Sequence, residues 1–110
     1  NLLRRRTGPE VETQLACGDL VVDLLTRRVS RAGRALDLLP REFKLLEYLL
    51  RNKRNVLTRD QILQEVWGYD YAGDTNVVDV YIRYLRNKID VAGDESYIQT
   101  VRGTGYVMRS

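Results

Sequence analysis

The residues with the clearest chemical potential lie close together, between Asn76 and Ile89. At about 100° per residue, Val78, Ile82, Leu85 and Ile89 fall on one tight stripe, the pattern of a helix packed on a core. Opposite them stands Val80, flanked by Asn76, Arg83, Tyr84 and Asn87, with Val77 more oblique and Arg86 and Lys88 nearer the borders. A solvated helix face carries Glu and Lys four residues apart. This one carries methyls, amides, an arginine and a tyrosine, and Asp79 is its only acid before Asp90. Such groups suit the edges of base pairs: methyls meet the thymine methyl, Asn pairs with adenine, and Arg pairs with guanine or grips phosphate. The mixture also suits a protein–protein face. The helix alone leaves both readings open.

The segment after the helix favours the first. Tyr97-Ile98-Gln99-Thr100-Val101 and Tyr106-Val107-Met108-Arg109 flank Arg102-Gly103-Thr104-Gly105, the pattern of a β-hairpin with glycines in its tip. Between Tyr97 and Ser110 there are two arginines and no acid. A reading face of methyls, amides, a tyrosine and an arginine, followed by an arginine-tipped hairpin, is the plan of a winged helix. The helix enters the major groove, and the hairpin reaches an arginine toward the minor groove or the backbone. A protein-binding winged helix without DNA activity is the alternative.

Reactive chemistry is poorly served. The chain has no histidine, which removes the commonest general base and zinc ligand. No nucleophile–base pair, metal cluster or phosphate loop can be assembled, so an enzyme is not expected, nor a cofactor or metal. Asp70, Asp74 and Asp79 lack the spacing of a calcium loop. The single Cys17 cannot form an internal disulfide, which suggests a reducing compartment, and it is expected in a strand.

Three groups of elements must position this helix and hairpin. From Gln14 the chain alternates, with Leu20, Val22 and Leu24 on one face and Val21 and Asp23 on the other. Val29 and Ala35 to Leu38 give further short candidates around a turn at Arg31-Ala32-Gly33-Arg34, predicting an antiparallel sheet of three or four strands. The period then becomes helical. Pro40 opens a helix whose stripe is Phe43, Leu45, Leu46, Leu49 and Leu50. Val56-Leu57 reads as an extended link. Thr58-Arg59-Asp60-Gln61 is a capping box before a helix that buries Ile62, Leu63, Val66 and Trp67 and stops at Gly68. The loop from Gly68 to Thr75 is too long for a simple helix-turn-helix, and Asp74 or Thr75 is expected to cap the helix from Asn76.

The whole fits one domain, 44% apolar and 30% charged, in 110 residues. No apolar run approaches the ~20 residues of a membrane span. The net charge of +3 misleads: Arg4, Arg5 and Arg6 supply all of it. Residues 1–13 read as a linker and the remnant of a preceding domain, and residues 14–110 as the folded unit. The start at Asn1, with Met108 the only methionine, suggests a piece of a longer protein.

Leu38 to Leu46, Leu57-Thr58-Arg59, Val66-Trp67-Gly68, Val78 to Arg86 and Thr100 to Tyr106 together resemble the signatures of the OmpR/PhoB-type output domain of bacterial response regulators. The resemblance runs from about Gln14 to Arg109. It implies an α+β winged helix-turn-helix with an N-terminal four-stranded antiparallel sheet, three helices and a C-terminal hairpin wing. It implies that Val77, Asp79, Val80, Arg83 and Tyr84 face bases. Trp67, Asn76, Tyr81, Arg86, Thr100 and Tyr106 would meet phosphates, and Arg102 would enter the minor groove. The loop with Tyr69, Asp70 and Tyr71 would contact RNA polymerase. The same resemblance implies head-to-tail homodimers on direct-repeat duplex DNA, a receiver domain in the same protein phosphorylated through a cognate histidine kinase, and a cytoplasmic location without membrane contact. Two positions depart from the pattern. Leu39 stands where the family usually has Thr as helix cap, and Tyr84 where some members carry arginine.

Overall fold

The structure, a computed structural model, describes residues 13–69 and 71–109. Apart from Thr13, the linker segment and its arginines lie outside the described residues. Four short strands come first: β1 (Gln14–Cys17), β2 (Leu20–Asp23), β3 (Arg28–Arg31) and β4 (Arg34–Leu36). They pair antiparallel in chain order. Alternation along them buries Leu15, Cys17, Leu20, Val22 and Val29, as the two-residue period of a strand requires. Ala32 (φ 53°) and Gly33 (φ 80°) make the turn between β3 and β4, both left-handed as a two-residue hairpin demands. The turn lies where the sequence placed it. β4, however, begins at Arg34 and ends at Leu36, because that turn lets Arg34 pair directly with Arg31.

Helix α1 (Pro40–Arg51) comes next and buries Phe43, Leu45, Leu46, Leu49 and Leu50. Each such side chain contributes about 1.5–3 kcal/mol, so packing rather than capping holds the helix. Leu39 at the N-cap supplies no side-chain acceptor and is 57% exposed. Only the reciprocal half of a capping box forms, with the Leu39 N–H donating to Glu42 Oε1 at 2.9 Å. Glu42 is itself 2% exposed, and an uncompensated carboxylate there would be costly. Lys88 compensates it at 2.6 Å.

Strand β5 (Leu57–Thr58) leads into α2 (Arg59–Ile62), which continues as a π-helical turn over Leu63–Trp67. The capping box forms in full: Thr58 Oγ1 accepts from the Gln61 N–H at 3.1 Å, and Gln61 Oε1 accepts from the Thr58 N–H at 2.8 Å. The sequence pattern predicts one regular helix here. Instead the Gly68 N–H reaches back five residues to the Leu63 carbonyl at 3.0 Å, the widened spacing of a π turn, and Gly68 at φ 103° ends it.

Helix α3 (Asn76–Ile89) buries the expected stripe of Val78, Ile82, Leu85 and Ile89. Asp74 Oδ1 accepts from the Asn76 N–H at 3.3 Å, whereas Thr75 makes no side-chain cap bond. Strands β6 (Ile98–Val101) and β7 (Gly105–Met108) form the hairpin. Val56-Leu57 is more than a link, because β5 joins the hairpin in a three-stranded sheet of order β5-β7-β6. Gly105 makes that possible: a Cβ there would sit 2.0 Å from the Leu57 carbonyl oxygen.

The buried Arg31 fastens the first sheet to the rest. Its guanidinium donates to Asp19 at 3.0 Å and to the Ile89 carbonyl at 2.7 Å, and its charged end lies 4.4 Å from the centre of the Tyr97 ring. The Tyr97 hydroxyl donates to Asp19 at 2.7 Å. A cation at the carbonyl end of α3 also answers the helix dipole. The result is a winged helix with an added N-terminal sheet.

Candidate nucleic-acid interface

Helix α3 turns Asn76, Arg83, Tyr84 and Asn87 to the outside, with Tyr84 44% exposed. Val80, expected to point most directly outward, is half-buried, as is Val77. Asn76, Arg83 and Tyr84, three or four residues from Val80, share its face of the helix and are the more exposed side chains there.

Asp79 is bonded within the domain through one carboxylate oxygen, while its side chain stays 38% exposed. Arg59 Nε donates to Asp79 Oδ1 at 2.9 Å, and the Tyr106 hydroxyl donates to the same oxygen. Tyr106 is 5% exposed. Burial, then the hydrogen bond to Asp79 and its charge, push the phenol above its ordinary value and keep it a neutral donor. The bond to Asp79 likewise pushes Arg59 up from its ordinary value. The guanidiniums of Arg59 and Arg86 lie 5.5 and 5.6 Å from the Tyr106 ring. Arg86 reaches across to the hairpin, donating from Nε and Nη2 to the Ile98 carbonyl at 3.1 and 2.7 Å and to Thr100 Oγ1 at 2.9 Å. Helix and hairpin are therefore joined at two points, through Asp79–Tyr106 and through Arg86–Ile98.

The hairpin tip is a four-residue turn, Val101 to Thr104, closed by the Thr104 N–H on the Val101 carbonyl at 3.0 Å. Gly103 takes φ 75° there, which leaves Arg102 exposed at the apex. Trp67, half-buried at the end of the π turn, meets Tyr81 edge-on at 5.2 Å, and Tyr81 meets Tyr84 at 5.5 Å. In the loop before α3, Tyr69 is 84% exposed and Tyr71 lies 6.4 Å from Trp67; Asp70 lies outside the described residues.

Sequence reasoning missed Arg59. Its signal was present: a base in the first turn of a helix opposes the dipole, which hints at a partner elsewhere. Lys88 as the partner of Glu42 had no such signal, since 46 residues separate them.

Residues 33–108 match the family described as "Transcriptional regulatory protein, C terminal". Over 108 residues the chain is 50% identical to the uncharacterized transcriptional regulatory protein YkoG of Bacillus subtilis (strain 168), covering 96% of this chain and 47% of YkoG. Among solved structures it is similar to response regulator DrrB, a Thermotoga maritima OmpR/PhoB homolog (TM-score 0.80, 30% identity, 90% of this chain and 45% of that one). It is also similar to the Klebsiella pneumoniae RstA DNA-binding domain in complex with the RstA box (TM-score 0.78, 31% identity, 89% and 98%). The chain belongs to the family of C-terminal domains of transcriptional regulatory proteins, in its OmpR/PhoB-type winged-helix form. It spans about half the length of the curated relatives it matches.

Proposed function

We propose that this domain binds double-stranded DNA sequence-selectively, as the output module of a two-component response regulator, with α3 in the major groove and the wing in the minor groove. The engagement of Asp79 carries the reading. With its carboxylate bonded to Arg59 and Tyr106, the outward face of α3 presents amides, methyls, a phenol and the guanidinium of Arg83 to a polyanion. Val77, Val80, Arg83 and Tyr84 are the base-facing side chains in this reading, and Asn76, Trp67 and Thr100 meet phosphates. Asp79 and Tyr106 brace helix against hairpin, Arg86 holds the hairpin from the helix side, and Arg102 enters the minor groove. The likeness to the RstA domain solved on its DNA box supports this.

The finer assignments depend on that reading. Residues 14–110 form the DNA-binding unit, and residues 1–13 link it to a receiver domain addressed by a histidine kinase. Two copies bind direct repeats in the cytoplasm, while Tyr69, Asp70 and Tyr71 face RNA polymerase. Selection of bound sequences from a duplex pool with a randomised centre tests the core of the proposal. Enrichment of one motif, repeated head-to-tail, is the expected result; a pool that stays random rejects it.

A further inference from the structure

We propose that Tyr81 and Trp67 fix the ring of Tyr84 on the reading face and so set how sharply one base is selected there. The inference rests on the proposed reading of DNA by α3. An exposed tyrosine on a helix ordinarily samples several rotamers, and ordering it at an interface opposes binding. Tyr84 is held differently. Its ring meets Tyr81 at 5.5 Å with an interplanar angle of 63°, and Tyr81 meets Trp67 at 5.2 Å and 82°. These are the edge-to-face arrangements that aromatic pairs favour. The Arg41 guanidinium sits 5.5 Å over the Trp67 ring, and Arg41 also donates to the Val66 carbonyl. The row of rings is thereby anchored in α1 and at the end of the π turn, away from any base. Tyr81 and Tyr84, three residues apart, are neighbours on one helix. A ring supported from behind cannot swing to follow a substituted base, so the wrong base loses contact that a freely rotating tyrosine would recover. Tyr81 and Trp67 are positioning residues in this account, acting through Tyr84.

The test uses the 110-residue chain and duplexes carrying its enriched motif. For each motif position, the affinity ratio between preferred and substituted base is measured for wild type, Tyr84→Ala, Tyr81→Leu, Tyr81→Phe and Trp67→Leu, each checked for folding by circular dichroism. At the position where Tyr84→Ala changes the preference, Tyr81→Leu and Trp67→Leu should reduce discrimination by about threefold to tenfold. Other positions should hold within about twofold, Tyr81→Phe should retain discrimination, and Tyr81→Leu should add nothing in the Tyr84→Ala background. Trp67 is only half-buried, so its variant reports even if Tyr81→Leu fails to fold. Unchanged discrimination in the folded variants overturns the inference, as does equal loss at every position or loss that persists without Tyr84. A motif that enriches but ignores Tyr84→Ala sinks this inference alone; no enrichment at all sinks the proposed function with it.

Discussion

The guanidinium of Arg86 spends its donors on the Ile98 carbonyl and the Thr100 hydroxyl, so its removal leaves a hairpin acceptor without its charged partner. Arg86→Ala should lower stability by about 2 kcal/mol in urea melts, the scale for bonds from a charged donor. Arg86→Lys should recover only part, because an ammonium lacks the planar fork. Leu39 predicts the opposite sign. At 57% exposure it contributes little packing, while the first turn of α1 lacks a side-chain acceptor. Leu39→Thr should therefore raise the denaturant midpoint, with a gain of about 1 kcal/mol. The odd cap at Leu39 was legible from sequence, since a leucine cannot accept an N–H. The use made of Arg86 was not: helical angle placed it at the border of the face, but its partner comes from a strand 12 residues on.

Among the elements, the most regular were the most readable. The stripes of α1 and α3 and the capping box of α2 come from local spacing, and the structure has each in place. The π turn is a one-residue widening of a local bond that side-chain spacing does not reveal, the pairing of β5 with β7 depends on a partner far along the chain, and a two-residue strand has no periodicity to read. The link between the first sheet and the hairpin is of the same long-range kind, and it is sensitive to pH. The hydrogen bond from the Tyr97 hydroxyl is the largest influence on the Asp19 carboxyl; desolvation opposes it, the charge and hydrogen bond of Arg31 add to it, and the carboxyl is held below its ordinary value of 3.8. A depressed carboxyl contributes stability above its unfolded-state value, and that contribution is lost as pH falls through the lower folded-state value. Urea midpoints should therefore fall as pH drops below 3.8. Asp19→Asn should be less stable at neutral pH and should show a shallower acid limb. Parallel acid limbs in the two proteins would show that Tyr97 and Arg31 do not act through Asp19.

Across the whole molecule, charge is a matter of placement. The +3 of the sequence belongs to Arg4, Arg5 and Arg6, and the remainder carries equal numbers of acidic and basic residues. The α3 and wing side is distinguished by a central acid that is internally bonded while Arg83 and Arg102 stand exposed. The central claim is that this side reads duplex DNA. A fluorescence-anisotropy titration of a duplex bearing the enriched motif, beside a shuffled duplex of the same composition, tests it across a salt series. The account predicts that the motif binds about 10³-fold more tightly, that both affinities fall steeply as salt rises, and that Arg83→Ala narrows the gap. Equal affinity for the two duplexes, or no duplex binding even at low salt, would contradict it.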